Sequence, residues 1–392
     1  MQSIEGRRAA PVVVSIAGVE DGKTTPSWKV KLASFVFVAV FVVIGLEIVA
    51  HAIFVRRRGW SFLSVDTDNR VRVDPLVGWT YTPGYVAEAF YGPNQHLHIN
   101  AQGFRGLRDV AVEKAPDRYR IICVGDSFTF GSGVGDEEGW CPLLEKIDPR
   151  IEAVNMGVGA AGVDQSVLWY GRDGAPLEHD LAIFAFIDSD FQRMIPDARN
   201  VINPKPRFRI VDGALKLTNV PVPDFGQYHR HDGLLFTKLV AFPRSLRSYQ
   251  LVRDALDTVF VRKHYDPFAV ADLLFADVAK KLDAKGRRGV LVYLAGSGDV
   301  EASCTSSGTG FCERKERPAD AVRFERTAER AGLPFVDTTP LFHELYDGDL
   351  DGYYLSDGHY DVKGHEQVAR YLYAKLGEVV EGFPTRTATT AD

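Results

Sequence analysis

Residues that could perform acyl chemistry occur in two short stretches of the chain. Ser127 stands in "CVGDSFTFGSGVG", directly after an apolar run, and Asp357 and His359 stand two residues apart in "YLSDGHYDVKGHEQVARYL". A serine becomes a useful nucleophile when an imidazole takes its proton, and a third group must orient that imidazole. Side chains two positions apart in an extended loop point the same way, so Asp357 can hold His359. Taken alone, Gly-Asp-Ser is weak evidence for a nucleophile and favours Ser127 as a helix N-cap.

The elements around these residues predict an α/β fold with a parallel sheet. Short apolar runs alternate with helical stretches, the runs being "RIICVG", "IEAVNMG", "LAIFAFI", "GVLVYLAG" and "LPFVDTT", and the helices "WCPLLEKI" and residues 363–380. Such alternation is typical of a parallel sheet covered by helices on both faces. We therefore predict a three-layer α/β/α sandwich. Ligands gather at the carboxyl ends of its strands, which places Ser127 in the crevice.

Four sequence blocks, in order, resemble the SGNH/GDSL hydrolase superfamily: "VGDSFTFGSGV", "VNMGVGAAGVDQ", "IDSDFQR" and "SDGHYDVKGHEQVA". The resemblance covers residues 118–376, and the upstream "INAQGFRG" resembles the lead-in of membrane-anchored members. It implies an SGNH/flavodoxin-like fold and a serine-dependent ester hydrolase that works through an acyl-enzyme on an O-acyl ester. Ser127 matches the nucleophile, His359 the general base and Asp357 its orienting acid. The resemblance implies no cofactor and no metal.

The family's oxyanion hole implies further site residues. It uses the backbone N–H of the nucleophile, a backbone N–H in the second block and an asparagine side chain in the third, which match Ser127, Ala160 with Gly159 beside it, and Ser189. The chain departs from the pattern here, because alanine replaces glycine and "IDSD" replaces Gly-x-Asn-Asp, which adds the charge of Asp188. Loss of one such donor typically costs on the order of 100-fold to 1,000-fold in rate. Weakened activity or a different donor is therefore expected.

Three functions remain open on the sequence. The first is the ester hydrolase, and the second is an O-acyltransferase that modifies an envelope polysaccharide. The third is a non-catalytic SGNH member that binds glycan. The substrate would be an acylated small molecule or a glycan, and the transferase implies a membrane partner that supplies acyl groups. A net charge of -6 and a pI near 6.0 give no basic surface for nucleic acid.

An apolar segment at residues 32–55 predicts one membrane-spanning helix. It is long enough to cross a hydrocarbon core about 30 Å thick. Three arginines follow it where a signal peptide would have a small-residue cleavage site. We expect a single-pass membrane protein with a periplasmic or otherwise extracytoplasmic catalytic domain, although the flanking charges favour neither orientation. The other expected segments are a flexible tail at 1–31, an extended lead-in at 56–110, an SGNH hydrolase-like domain at 111–382 with an insertion at 195–265, and a C-terminal tail at 383–392.

The insertion is expected to lie over the active face. Within it, "FRIVDGALKLTNVPVP" predicts a hairpin that turns at Asp212 and Gly213, and residues 248–261 predict a helix.

Cysteines and the remaining histidines give weaker signals. Cys304 and Cys312 flank a short polar loop and could form a disulfide in an exported domain or remain free thiols in a cytosol. Cys123 lies in an apolar strand and is expected to be an ordinary core residue. His365 begins the last helix and is expected to pack or cap. The other histidines are expected at the surface, among them His96, His98, His229 and His231.

Overall fold

The computed structural model describes residues 27–58, 69–195, 205–222, 252, 265–305, 314–347 and 349–385. The chain forms two compact units, the second of which begins at Arg58. The first contains all but the last residue of helix α1 (Trp28–Arg58), and this helix includes the predicted span at 32–55. Its segment Trp28–Ala50 has a mean hydropathy of 2.7, so by length and composition it could cross a membrane.

Strands of the second unit form one large sheet and several two-stranded hairpins. They are β1 (Val71–Asp74), β2 (Gly78–Tyr81), β3 (Val86–Gly92), β4 (Gln95–His98), β5 (Tyr119–Gly125), β6 (Ile151–Gly157), β7 (Leu181–Phe186), β8 (Arg207–Val211), β9 (Ala214–Thr218), β10 (Arg288–Tyr293), β11 (Cys304–Thr305), β12 (Arg314–Lys315) and β13 (Phe335–Asp337). The lead-in, expected as extended structure, forms the antiparallel hairpins β1–β2 and β3–β4.

The central sheet is parallel and has the strand order β13-β10-β7-β5-β6. Counted along the chain this is the order 2-1-3-4-5 of flavodoxin-like sheets. The register pairs Gly125 at the end of β5 with Gly157 of β6 and Ala185 of β7, so the carboxyl ends of these strands meet at one edge. All six residues of β7 are buried, because a central parallel strand is covered on both faces.

Helices cover both faces of this sheet. They are α2 (Ser127–Phe130), α3 (Trp140–Ile147), α4 (Val163–Trp169), α5 (Asp188–Gln192), α6 (Pro267–Asp283), α7 (Ser297–Ser303), α8 (Ala319–Ala331), α9 (Thr339–Leu345) and α10 (Val362–Val379). The connection from β5 to β6 moves toward one edge of the sheet, whereas the later connections, from β6 to β7, β10 and β13, move toward the other edge. Because each crossover is right-handed, α3 lies on one face of the sheet and α4, α6 and α8 lie on the other. Accordingly, α3 packs against α10 and α6 packs against α8. The predicted three-layer sandwich is confirmed.

A disulfide joins the first strand of the central sheet to the first helical layer. Cys123 in β5 is bonded to Cys141 in α3, and both side chains are fully buried. Cys123 lies in the core as expected, but the expectation of an ordinary core cysteine was wrong. The cause is tertiary, since α3 folds back over β5 and brings the two Cα atoms to 6.3 Å. Cys304 is also disulfide-bonded, while Cys312 lies outside the described residues.

The predicted hairpin of the insertion is confirmed. Strands β8 and β9 pair antiparallel around Asp212 and Gly213, whose φ angles of 51° and 77° are those of a tight hairpin turn. The predicted helix at 248–261, apart from Val252, lies outside the described residues, as do His229 and His231. The expected position of the insertion over the active face falls largely on the same part of the chain.

Candidate active site

Ser127 is the first residue of α2, directly after the turn that follows β5. Asp126, not Ser127, is the N-cap of this helix, because its Oδ1 accepts the N–H of Phe128 at 2.9 Å. The turn is tight, since a Cβ added at Gly125 would lie 2.2 Å from the carbonyl oxygen of Ala185. The turn therefore lies close against the end of β7, which puts Ser127 at the carboxyl ends of β5 and β7. This is the point at which flavodoxin-like sheets bind ligands.

The fold brings His359 to Ser127 from 232 positions away. Nε2 of His359 lies 2.9 Å from Oγ of Ser127. The hydroxyls of Tyr354 and Tyr360 each donate to the carbonyl oxygen of Ala295, just after β10, at 2.8 Å. These bonds fasten the histidine loop to the carboxyl edge of the sheet. With its proton on Nδ1, the imidazole can accept the serine proton at Nε2.

Asp357 lies beside this imidazole but faces solvent. Its Oδ2 is 3.0 Å from Nδ1 of His359, and its side chain is 64% exposed. The Nδ1 atom has no well-aligned hydrogen-bond partner among the described residues, whereas the backbone N–H of His359 donates to Oδ1 of Asp357 at 3.2 Å. Partial burial opposes ionisation, but these contacts with His359 hold the pKa of Asp357 below its usual value. The carboxylate is thus charged at neutral pH and screened by water.

Two backbone amides at this edge of the sheet have no acceptor among the described residues. The Ser127 N–H is the first of α2, where helices leave amides unpaired. The Ala160 N–H is also unpaired, and Ala160 adopts the left-handed conformation at φ 57°. The Gly159 N–H, by contrast, donates to the hydroxyl of Tyr81 at 3.0 Å. Of the two second-block amides, only that of Ala160 is left for a ligand.

The third-block residues begin α5, directly after β7. The Ser189 N–H donates to Oδ1 of Asp188 at 2.5 Å, and the Ser189 hydroxyl has no partner among the described residues. Burial raises the pKa of Asp299, against a hydrogen bond from Tyr293, and the Asp188 carboxylate raises it further. The Asp188 charge of this block therefore reaches Asp299, which follows β10 along the chain.

A buried ion cluster lies beneath the nucleophile, and sequence reasoning missed it. Nη1 of Arg193 donates to Oδ2 of Asp126 at 2.9 Å and also to Oδ1 of Asp190. Both carboxylates are fully buried, and burial, followed by the charge of Asp126, raises the pKa of Asp190 well above its usual range. The Ser127 hydroxyl can also donate to Oδ2 of Asp126, at 3.2 Å. Arg193 thus offsets the negative charge next to the nucleophile.

Arg105 of the lead-in is another residue near the site that the sequence analysis did not identify. Arg105 donates to the carbonyl oxygens of Phe130, Gly131 and Val134 at 2.6, 2.5 and 2.5 Å, which secures the loop after α2. The only sequence signal for this role was the position of Arg105 within "INAQGFRG".

His98 and His365 are among the histidines that have defined hydrogen-bond partners. His98 was expected at the surface, which was wrong: its Nδ1 lies 2.6 Å from Oδ2 of Asp136, and its side chain is only 16% exposed. The expectation was also wrong for His179 and His343, which are 3% and 4% exposed. His365 caps α3 as expected, since its Nδ1 accepts the N–H of Trp140 at 3.2 Å. Burial lowers the pKa of His365 to about 3, so this imidazole stays neutral. No group of three or more metal-binding side chains occurs in the described ranges.

Comparisons with known proteins find similar solved structures. No family model and no curated protein matches the chain. One similar structure is a protein from Desulfitobacterium hafniense assigned to the G-D-S-L family of lipolytic proteins, with 13% identity and a TM-score of 0.34 over 65% of this chain and 97% of that chain. Another is an acetyl xylan esterase from Geobacillus stearothermophilus, with 14% identity and a TM-score of 0.36 over 71% and 100%. A third is a two-domain esterase active on acetylated mannans, with 14% identity and a TM-score of 0.37 over 70% and 53%. The fold assignment rests on the strand order given above.

Proposed function

We propose that this protein is a serine-dependent ester hydrolase of the SGNH/GDSL type that acts on an acylated small molecule or glycan. The observation that carries the proposal is the 2.9 Å contact between Oγ of Ser127 and Nε2 of His359, at the carboxyl ends of the sheet strands. A serine hydroxyl within hydrogen-bond reach of an imidazole, at the edge of the sheet where ligands bind, can act as a nucleophile with that imidazole as its base. The amides of Ser127 and Ala160 support it, because they have no acceptor among the described residues and can donate to an oxyanion.

The reaction begins when Oγ of Ser127 attacks the acyl carbonyl carbon and its proton passes to Nε2 of His359. The tetrahedral oxyanion accepts hydrogen bonds from the amides of Ser127 and Ala160. When it collapses, His359 returns the proton to the leaving oxygen, and the alcohol departs from an acyl-enzyme. A water then attacks the acyl group while His359 takes its proton, and the second collapse returns that proton to Oγ and releases the carboxylic acid.

An O-acyltransferase would use the same acyl-enzyme, with a sugar hydroxyl in place of water, and a binding-only protein would form none. The full chain in detergent, with a short-chain aryl ester and a fluorophosphonate probe, separates these functions. We expect the wild type to be labelled and to hydrolyse the ester, and Ser127→Ala to lose both properties. Faster turnover on adding an oligosaccharide, with slow turnover in water, would indicate transfer. Absence of labelling in the wild type would contradict a catalytic function.

The fold offers a matched control for Ser127. Ser303, the last residue of α7, is also 8% exposed, and its hydroxyl lies 2.7 Å from Nε2 of His343 in α9. We expect Ser303→Ala to keep both labelling and hydrolysis, because this serine–histidine pair lies outside the proposed site. Labelling that depended on Ser303 rather than Ser127 would overturn the assignment.

We also propose that α1 anchors the protein in a membrane and that the site faces an extracytoplasmic compartment. The disulfide between Cys123 and Cys141 supports this location, since such bonds persist in oxidising compartments. Leu107 in the second unit is 71% exposed. We expect Leu107→Cys in intact cells to react with a membrane-impermeant maleimide. Reaction only after lysis would place the domain in the cytoplasm.

A further inference from the structure

Strand β2 of the lead-in binds both backbone polar groups of Gly159. Nε1 of Trp79 donates to the carbonyl oxygen of Gly159 at 3.1 Å, and the hydroxyl oxygen of Tyr81 accepts the Gly159 N–H at 3.0 Å. Trp79 and Tyr81 lie on the same face of the strand, because side chains alternate along it. Both are almost fully buried, with 4% and 5% of their surface exposed. These two bonds fix the peptide units on either side of Gly159.

The bond from Trp79 determines where the Ala160 amide points. The carbonyl of Gly159 and the N–H of Ala160 belong to one planar trans peptide, in which they point in opposite directions. When Trp79 holds the carbonyl on the β2 side, the N–H is turned away from β2. This amide has no acceptor among the described residues.

Ala160 needs such support because of its backbone conformation. Its φ of 57° is left-handed, a conformation that is strained for a residue with a Cβ. Such local strain persists only when surrounding contacts over-determine it. The two bonds to Gly159 are contacts of this kind.

Tyr81 also contacts the segment that carries the nucleophile. Its ring stacks on Phe130 of α2, with centroids 4.3 Å apart and planes 22° from parallel. Helix α2 begins at Ser127, whose own N–H is the other unpaired amide. One strand of the lead-in therefore touches both segments from which the two amides project.

We infer that Trp79 and Tyr81 are positioning residues that aim the Ala160 N–H at the acyl oxygen. The inference rests on the proposed function and adds to it that β2 completes the oxyanion site. The active unit then includes residues 78–81, which lie before the hydrolase-like domain expected at 111–382.

The test compares Trp79→Phe and Tyr81→Phe in the full-length protein with the wild type. Each removes one hydrogen-bonding group and keeps an aromatic ring. We expect kcat for the aryl ester to fall by about 10-fold or more, which is a smaller loss than removal of an oxyanion donor itself would cause. KM should stay within about twofold of the wild-type value. Phosphonate labelling should slow by a similar factor. Each variant removes one of the two bonds to Gly159. If one variant does not fold, the other still provides the measurement.

Tyr119→Phe is the matched control. The Tyr119 hydroxyl is buried without a partner among the described residues and lies at the amino end of β5, away from the site. Its removal should leave kcat within about twofold of the wild type. An equal loss in this control would mean that removing any buried phenol slows the enzyme, which would overturn the inference.

Hydrogen exchange separates this inference from the proposed function. The Gly159 amide should be protected in the wild type and exchange faster in Tyr81→Phe, whether or not the protein is active. A wild type that neither labels nor hydrolyses refutes the proposed function while the exchange result still reports on the bond. An active enzyme whose kcat and labelling rate survive both substitutions refutes the positioning role.

Discussion

Substitution of Asp357 by asparagine tests how much an exposed acid contributes to the proposed site. The carboxylate lies 3.0 Å from Nδ1 of His359 and is 64% exposed. Two unit charges at that separation interact by about 1.4 kcal/mol in water and several times more in a protein interior. Because most of this carboxylate is in water, we take about 1–2 kcal/mol as its stabilisation of the imidazolium in the transition state. Since 1.4 kcal/mol is about tenfold in rate, Asp357→Asn should lower kcat/KM by roughly 5-fold to 30-fold.

That loss is far below the roughly 10,000-fold loss seen when a buried orienting aspartate is replaced. The assay is kcat/KM for a short-chain aryl ester, with His359→Ala expected to lose on the order of 100-fold to 10,000-fold. Glu381→Gln is the matched control, since Glu381 is an 85% exposed carboxylate that pairs with Arg288 at 2.6 Å at the opposite edge. It should leave kcat/KM unchanged. A loss for Asp357→Asn as large as that for His359→Ala would refute the argument from solvent screening, and no loss would refute an orienting role.

Two predictions concern stability. Arg193→Met leaves Asp126 and Asp190 buried without their counter-ion, so it should lower the free energy of unfolding measured in urea melts by about 3 kcal/mol. The control Arg288→Met removes an exposed arginine and should lower it by less than about 1 kcal/mol. Similar losses in both variants would contradict the buried cluster. Burial is the main cause that lowers the pKa of His365 to about 3 and the pKa of His179 to about 4. Below pH 6.5 the unfolded chain therefore binds protons that the folded chain does not. Stability is then complete above pH 7 and should fall by about 2 kcal/mol per histidine between pH 7 and pH 5. A free energy of unfolding that stays level or rises over this interval would be inconsistent with two neutral buried imidazoles.

The strands and helices of the sandwich could be predicted because their signals are local. The run from Leu181 to Phe186 is apolar throughout, and it forms a central strand buried on both faces. The turn at Asp212 and Gly213 was readable from residue type, since few other pairs adopt two successive left-handed conformations. Chemistry also singled out Ser127 and His359, because few residue types can act as nucleophile and base.

Other parts of the site were not predictable in the same way. Trp79, Tyr81 and Arg105 act on backbone groups of segments that lie far along the chain, and Arg193 reaches a carboxylate next to the nucleophile. Hydrophobic periodicity shows which face of a segment is buried, but it does not identify the carbonyl or amide that a side chain will meet. The disulfide partner of Cys123 could not be predicted for the same reason.

The sequence by itself therefore determined the layered α/β architecture and the candidate nucleophile and base, since burial patterns and residue chemistry are properties of short segments. Only the tertiary structure decided which amide remains unpaired, that Asp357 is exposed, and that Asp126 lies against Arg193. These outcomes depend on distances between segments that pack together from remote parts of the chain, and such distances exist only after the sheet and its helices have assembled.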